Sequence, residues 1–182
     1  MIEMRNALFL DRDGVLNKVF FEKKLPISPP SFASVEILPG VKEAVEKIRR
    51  LNFVSLVVTN QPNVSRKKIE RSEVLKINNY LQDKLKFDDI FICYHDDNDN
   101  CKCRKPKPGL LFEASSKWNI NLKKSFMIGD RWKDIAAGKL AGCKTILVEY
   151  KHSEINRCKP DFIVGSLYNA VELIEKLSNE KN

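Results

Sequence analysis

Acidic and polar side chains directly follow three short apolar runs of the sequence. Asp11 and Asp13 follow the first run, residues 59–60 (Thr-Asn) follow the second, and Asp130 follows the third. Because the carboxyl ends of parallel strands meet at one edge of a sheet, these side chains are expected to converge. Carboxylates that share a cleft repel each other unless a cation lies between them. The pattern therefore predicts a magnesium site beside a phosphate, and thus a phosphatase.

The residue types and spacing predict how such a site would work. One carboxylate of the Asp11/Asp13 pair could attack phosphorus once a cation screens the phosphate. The other, two residues away, could protonate the leaving alkoxide and then accept a proton from water. Thr59 and Asn60 would bind phosphate oxygens. Lys105 would neutralise Asp11 before the reaction and the phosphoryl group during it.

Two further acids complete the predicted site. Asp130 is expected to be the distal carboxylate ligand of magnesium. Asp134 lies one helical turn further along the chain. We expect it to orient its neighbours rather than to contact substrate.

Strand-like apolar runs alternate with helical patterns along the chain, which predicts the scaffold of the site. The predicted strands are residues 7–10, 54–58, 90–92, 126–128, 145–148 and 162–164. This alternation predicts an α/β fold with a doubly wound parallel sheet covered by helices on both faces. Residues 20–34, rich in proline, are predicted to form a loop, and residues 94–107 a second irregular segment. The 182 residues are expected to form a single domain, residues 1–182.

The formal net charge of +8 raises the question of a nucleic-acid partner. The basic residues are spread over predicted helices and loops, and the sequence has no aromatic-rich basic stretch that could stack bases. A basic surface that attracts a small phosphorylated metabolite is therefore favoured over a nucleic-acid track. No apolar segment approaches the length of a membrane span. We therefore expect no membrane partner, a cytoplasmic location and, from the mostly charged helical faces, a monomer.

Four potential metal ligands cluster in the second irregular segment. Cys93, His95, Cys101 and Cys103 lie within eleven residues. Three thiolates and one imidazole form a standard tetrahedral zinc set, and a reducing cytosol disfavours disulfides among them. We expect a structural Zn²⁺ that fixes residues 93–103, here termed the zinc loop, and directs the residues after it into the active site.

The remaining features of this region receive simpler interpretations. The acidic residues 96–100 lack the glycine and spaced glutamate of a calcium loop, so they are predicted to be a solvated tip. Cys143 is expected to be a small core residue. Cys158 has no role that the sequence indicates.

Four motifs resemble those of the haloacid dehalogenase (HAD) superfamily of phosphatases. They are Asp-x-Asp-Gly-Val-Leu-Asn from residue 11, Val-Thr-Asn-Gln from 58, Arg-Lys-Pro-Lys-Pro-Gly from 104 and Ile-Gly-Asp-Arg-x-x-Asp from 128. The resemblance spans about residues 8–148 and implies a Rossmann-like fold and an aspartyl-phosphate intermediate. It implies that Asp11 is the nucleophile and Asp13 the acid/base. Magnesium would be held by Asp11, the backbone carbonyl of Asp13, and Asp130.

The zinc loop joined to the third motif resembles one branch of that superfamily, which includes heptose-bisphosphate and histidinol-phosphate phosphatases. The segments between the motifs are too short for a separate cap domain, so the enzyme is expected to be capless. Substrate would then be recognised by loops. The resemblance implies substrate contacts by Thr59, Asn60, Gln61, Pro62, Arg104, Lys105 and Arg131.

The sequence departs from that branch where the sugar should bind. Relatives usually carry Ser-Gly after Thr-Asn-Gln, whereas this chain carries Pro62-Asn63, which stiffens the loop. Heptose 1,7-bisphosphate is the leading substrate candidate. Histidinol phosphate and a DNA 3′-phosphate remain alternatives.

Overall fold

A parallel six-stranded sheet forms the centre of the molecule. The computed structural model describes residues 3–150, 154, 157 and 159–180. The strands are β1 (Ala7–Leu10), β2 (Phe20–Glu22), β3 (Leu25–Ile27), β4 (Val54–Asn60), β5 (Asp89–Cys93), β6 (Phe126–Gly129), β7 (Lys144–Val148) and β8 (Phe162–Val164). The main sheet has the order β5-β4-β1-β6-β7-β8, while β2 and β3 form an antiparallel hairpin. The predicted parallel, doubly wound sheet is confirmed.

Helices cover both faces of the sheet. They are α1 (Val41–Arg50), α2 (Arg71–Leu85), α3 (Gly109–Trp118), α4 (Trp132–Ala141) and α5 (Leu167–Asn179). Helices α1, α2 and α5 pack in one hydrophobic core, and α3 and α4 pack in the other. The molecule therefore has three layers, as a Rossmann-like fold requires.

The pattern of β1 explains why this strand lies at the centre. Leu8 and Leu10 belong to one core, whereas Ala7 and Phe9 belong to the other. All four side chains are fully buried because successive residues of a strand point to opposite faces. An uninterrupted apolar run is typical of a strand covered on both sides. The carboxyl end of β1 consequently opens between its neighbours β4 and β6.

The prediction of a loop at residues 20–34 was wrong, because this segment contains the β2–β3 hairpin. Lys23 and Lys24 form its two-residue turn with φ values of 48° and 68°. Two successive residues with positive φ produce the turn that matches strand twist. Lysine is an unusual residue there, so the sequence carries no turn signal. The hairpin borders the active-site cavity through Glu22, Leu25 and their neighbours.

Other boundaries differ less from the predictions. Residues 94–107 form the predicted irregular segment, with one 3-10 turn at Asp97–Asp99. Helix α2 begins at Arg71, after a turn in which Lys67 has a positive φ of 56°. Cys143 is buried in the core of α3 and α4, as predicted. Cys158 lies outside the described residues.

Within the described residues, no helix is long and apolar enough to cross a membrane. In these residues, the cavity is bordered by the β2–β3 hairpin, the loops at the strand ends and the first turn of α4, which agrees with a capless architecture. The single domain spanning residues 1–182 and the monomeric state stay predictions from the sequence.

Candidate active site

The acidic residues predicted from the motifs meet at the carboxyl edge of β1 and β6. Asp11 continues the pairing of these strands, because its backbone N–H donates to the carbonyl of Ile128 at 2.9 Å. Asp130 follows β6, and Asp134 lies in the first turn of α4. One carboxylate oxygen from each of Asp11, Asp130 and Asp134 lies within 4.8 Å of the others. The convergence expected from the strand order is therefore present.

Glycines allow this close approach of backbone and carboxylate. Gly14 has a φ of +88°, and a Cβ there would collide with the Asp130 carboxylate. A Cβ at Gly129 would collide with the side chain of Asp134. Asp130 therefore packs directly on a glycine of the first motif, and Asp134 packs on a glycine of its own motif.

Lys105 joins two of these acids from the zinc-loop side. Its Nζ lies 2.9 Å from Asp11 Oδ1 and 2.6 Å from Asp134 Oδ1, and it donates to the carbonyl of Val58 at 2.7 Å. The side chain is only 2% exposed. Burial alone would lower the pKa of Lys105, but Asp11 and Asp134 outweigh it and raise this pKa above its usual range. The ammonium group is thus held charged beside Asp11.

Asn60 positions the backbone of Lys105. Its amide Nδ2 donates to the Lys105 carbonyl at 3.0 Å, and its Oδ1 accepts from the Lys105 N–H at 3.1 Å. The residues are 45 positions apart in the chain. The Asn60 amide was predicted to bind phosphate. Its nitrogen and its oxygen instead each form a hydrogen bond to the Lys105 backbone, although Asn60 also lines the cavity.

Asp13 has a different environment from Asp11. Its carboxylate accepts hydrogen bonds from Arg12, Asn17, Ser28 and Gln61 at 2.7–3.1 Å. Burial alone would raise the pKa of Asp13, but Arg12 and these hydrogen bonds lower it below its usual value. The Ser28 contact comes from the residue directly after β3, so sequence analysis had no basis for predicting it.

Gln61 links Asp13 to the second motif. Its Nε2 donates to Asp13 Oδ2 at 2.8 Å and to Thr59 Oγ1 at 2.9 Å. Its backbone N–H donates to the carbonyl of Cys93 at 2.7 Å, which extends the pairing of β4 and β5. Gln61 and Thr59 are buried, whereas Pro62 lines the cavity. Gln61 thus contacts the predicted acid/base directly.

The acid cluster fits a divalent cation. Burial and the nearby charge of Asp134 raise the pKa of Asp11 to about 7, although Lys105 acts in the opposite direction. Burial and the charge of Asp130 likewise raise the pKa of Asp134. Three carboxylates share one ammonium group, so the cluster has excess negative charge. Carboxylate oxygens in this number and environment suit Mg²⁺.

The predicted zinc ligands also converge. Five of the six distances among Cys93 Sγ, His95 Nδ1, Cys101 Sγ and Cys103 Sγ are 3.2–3.7 Å. A tetrahedron with Zn–S bonds of about 2.3 Å has S–S edges of ~3.8 Å. The backbone N–H of Arg104 donates to Cys101 Sγ at 3.3 Å, which directs the chain from the cluster toward Lys105. The cluster therefore fits a zinc ion.

Several basic side chains line the cavity, whose volume is about 480 Å³. Arg104 and Arg131, both predicted to contact substrate, line it. Arg131 pairs with Glu154 at 3.7 Å. Lys133 also lines the cavity and was not predicted, because it occupies an unspecified position of the fourth motif.

The acidic tip of the zinc loop is solvent-exposed at residues 97–100, as predicted, but its acids also form ion pairs. Asp96 pairs with Arg66, and Asp97 pairs with Arg104 Nε at 2.8 Å. Lys133 Nζ also lies 3.6 Å from Asp97 Oδ1. These ion pairs join the tip to the loop after β4 and to the first turn of α4.

Known proteins support the resemblance found in the motifs. A family model described as HAD-hydrolase-like matches residues 102–170. The chain is 34% identical over 154 residues to a D-glycero-beta-D-manno-heptose-1,7-bisphosphate 7-phosphatase of Helicobacter pylori, covering 81% of this chain and 85% of that protein. It is 33% identical over 147 residues to a D-glycero-alpha-D-manno-heptose-1,7-bisphosphate 7-phosphatase of Campylobacter jejuni, covering 78% and 81%.

Solved structures share the fold over nearly the whole chain. A D,D-heptose 1,7-bisphosphate phosphatase of B. bronchiseptica, complexed with magnesium and phosphate, has a TM-score of 0.80 at 24% identity, covering 94% of this chain and 99% of that chain. A putative HAD-like phosphatase of Mesorhizobium loti has a TM-score of 0.78 at 27% identity, covering 96% and 88%. With identities above 30% to curated relatives, the chain therefore belongs to the D-glycero-D-manno-heptose-1,7-bisphosphate 7-phosphatase family of HAD-like phosphatases.

Proposed function

We propose that this protein is a magnesium-dependent phosphomonoesterase that removes the 7-phosphate of D-glycero-D-manno-heptose 1,7-bisphosphate. The observation that carries the proposal is the buried Lys105 ammonium group between Asp11 and Asp134 at the edge of the cavity. It keeps positive charge beside a carboxylate that can attack phosphorus. The names of the relatives favour this sugar over histidinol phosphate and 3′-phosphorylated DNA.

Asp11 is assigned as the nucleophile. Its Oδ1 already accepts from Lys105 Nζ and from the backbone N–H of Arg12, so Oδ2 is the attacking atom. Bond formation from Oδ2 to phosphorus breaks the bond to the sugar oxygen, which takes a proton from Asp13. Water then attacks the phosphorylated Asp11 while Asp13 accepts its proton, which releases inorganic phosphate and restores both acids.

Magnesium would be held by Asp11, the backbone carbonyl of Asp13, and Asp130, and when bound it supplies positive charge that screens the phosphate. Lys105 adds its own charge beside Asp11. Thr59 accepts from Gln61 and retains a hydroxyl hydrogen for a phosphate oxygen. These groups stabilise the charge of the transferred phosphoryl group.

The environment of Asp13 determines when it carries a proton. Its low pKa favours the carboxylate, which suits the step that activates water. A phosphate dianion in the cavity brings negative charge close to Asp13 and raises its pKa. Substrate binding therefore favours the protonated form that the first step needs.

We further propose that Cys93, His95, Cys101 and Cys103 bind a structural Zn²⁺. Coordination requires thiolates, which a reducing compartment preserves, so we assign the enzyme to the cytoplasm. Substrate recognition is assigned to Arg104 and Arg131 and to residues 59–62. Of these, Arg104, Arg131, Asn60 and Pro62 line the cavity.

Phosphate release in the presence of Mg²⁺ tests this proposal. The substrates are both anomers of the heptose bisphosphate, histidinol phosphate and a 3′-phosphorylated oligonucleotide. We expect kcat/KM for one heptose anomer to exceed that for histidinol phosphate and for the oligonucleotide by about a hundredfold, equivalent to about 2.7 kcal/mol. Equal, slow turnover of all substrates would refute the assigned sugar.

The variant Asp11→Asn tests the nucleophile separately. It should abolish turnover without changing the circular dichroism spectrum, because an amide cannot attack phosphorus at a useful rate. Asp83→Asn is the matched control. Asp83 lies on α2, is largely exposed and pairs with Lys86 just after the helix. Activity retained by Asp11→Asn would refute the assignment.

A further inference from the structure

The zinc loop holds the inner side of the Arg104 guanidinium group. Arg104 Nε and Nη2 donate to the two carboxylate oxygens of Asp97 at 2.8 and 3.3 Å. Arg104 Nη1 donates to the carbonyl of His95 at 3.2 Å. The Arg104 side chain is only 9% exposed. Two separate parts of the zinc loop thus restrict the rotation of this guanidinium group.

These contacts leave a specific part of the group available. A guanidinium group has five N–H bonds, and three are used here. The remaining two are on Nη1 and Nη2, one on each terminal nitrogen. These two N–H bonds, here termed the outer fork, can donate to the oxygens of a phosphate group. Arg104 and Asp97 line the same cavity as Asp11.

The charges around the cavity separate into two regions. Asp11, Asp130 and Asp134 form the negative cluster suited to a cation. Asp97 instead faces Arg104, Lys133 at 3.6 Å and Arg66 at 3.9 Å. Asp96 also pairs with Arg66 and lies 4.0 Å from Arg104 Nη2. Two carboxylates among three cations leave this second region with a net positive charge, so it attracts an anionic group distinct from the reacting phosphate.

We propose that Asp97 is a positioning residue for Arg104. Together with the carbonyl of His95, it orients the outer fork toward a second anionic group of the substrate, the one that is not transferred. The inference rests on the proposed function, because it requires a substrate with two anionic groups. Without Asp97, Arg104 samples other rotamers and must be ordered again at each binding event, which weakens binding. The bonds that form and break at Asp11 are unaffected.

The test compares Asp97→Asn with Asp99→Asn. An asparagine at position 97 lacks the charge and presents an NH₂ group to one of the arginine donors. Asp99 is an acid of the same loop that accepts from Ser65 and from the backbone of Asp96 instead. Substrates are heptose 1,7-bisphosphate, fructose 1,6-bisphosphate, fructose 6-phosphate and p-nitrophenyl phosphate.

We expect Asp97→Asn to raise KM for both bisphosphates by about tenfold, with kcat nearly unchanged. The two monophosphates and Asp99→Asn should show wild-type KM values. In an Arg104→Ala background, Asp97→Asn should add no further loss, because the residue acts only through Arg104. If Asp97→Asn lowers Tm, Asp97→Glu replaces it in the same KM measurements. This variant keeps the negative charge but moves it away from the Arg104 donors, so KM for the bisphosphates should again rise.

The outcomes separate the inference from the proposed function. Unchanged bisphosphate KM values in Asp97→Asn, or equal increases for monophosphates, overturn the inference. So does a wild-type enzyme that binds bisphosphates no better than monophosphates. If the wild type does not prefer the heptose over the fructose bisphosphate, the proposed sugar fails. The inference still holds in that case if Asp97→Asn weakens the binding of both.

Discussion

Replacing Lys105 with methionine should lower the free energy of unfolding by about 3–5 kcal/mol, because it breaks a buried ion pair and leaves buried charge uncompensated. Methionine retains an apolar stem of similar length and removes only the ammonium group. Lys105 is 2% exposed and lies 2.9 Å from Asp11 and 2.6 Å from Asp134. Both carboxylates would remain in the site without their shared partner.

The stability loss should depend on pH. The pKa of Asp11 is raised to about 7 and that of Asp134 is also raised, even though Lys105 opposes both shifts. Removing Lys105 raises both values further. A carboxyl group with a raised folded-state pKa stabilises the fold below its unfolded pKa, and this stability is lost as pH rises through the folded value. The deficit of Lys105→Met should therefore be larger at about pH 8 than at about pH 5.

Urea unfolding followed by circular dichroism in magnesium-free buffer measures both effects. Lys117→Met is the matched control, since Lys117 pairs with Asp89 at a similar distance of 2.7 Å but its side chain is 62% exposed. An exposed pair contributes less than about 1 kcal/mol, so the control should change little. The reasoning is refuted if Lys105→Met loses no more stability than the control, or if its deficit shrinks as pH rises.

Two further substitutions test the zinc cluster and the hairpin. Cys101→Ser should lower both the zinc content and Tm, because a hydroxyl group is a poor zinc ligand. Metal analysis measures the zinc content. The control is Cys143→Ser, which changes a core cysteine outside the cluster and should leave the zinc content unchanged. Equal zinc in the two variants would contradict the ligand set. Ser28→Ala removes a 2.7 Å hydrogen bond to Asp13 and should lower kcat for p-nitrophenyl phosphate about two- to tenfold. Ser34→Ala is the control, because the Ser34 hydroxyl donates to the backbone of its own turn. Equal kcat values in the two variants would exclude a role for the Ser28 hydroxyl group.

The sheet could be predicted because its strands are covered on both faces. Their sequences are continuous apolar runs, as in β1 and β4, and such runs need no knowledge of distant contacts to be recognised. The β2–β3 hairpin was missed for the opposite reason. Its residues are mostly exposed, including Phe21 and Leu25, and its turn consists of two lysines. No alternation or glycine marks it as strand and turn.

Asp11 and Asp130 could be predicted because each directly follows an apolar run that the sequence marks as a strand. The partners of these residues could not, since tertiary folding brings them from distant loops. The Asn60 amide looks suited to a phosphate oxygen but pairs with Lys105, 45 residues away. Likewise, Asp97 belongs to an acidic run that resembles a solvated tip until the arginines facing it are known.

The two cationic residues after the zinc loop are adjacent in sequence but serve different parts of the cavity. Lys105 contacts Asp11, while Arg104 contacts Asp97. Hydrogen bonds fix the backbone of both residues. Cys101 Sγ accepts from the Arg104 N–H, and the Asn60 amide bonds to the N–H and the carbonyl of Lys105. We therefore expect a distorted zinc loop to displace the Lys105 ammonium group and the Arg104 guanidinium group together. Loss of magnesium from the acid cluster would not remove these backbone contacts. We therefore expect zinc removal to impair both substrate selectivity and turnover, and magnesium removal to impair turnover.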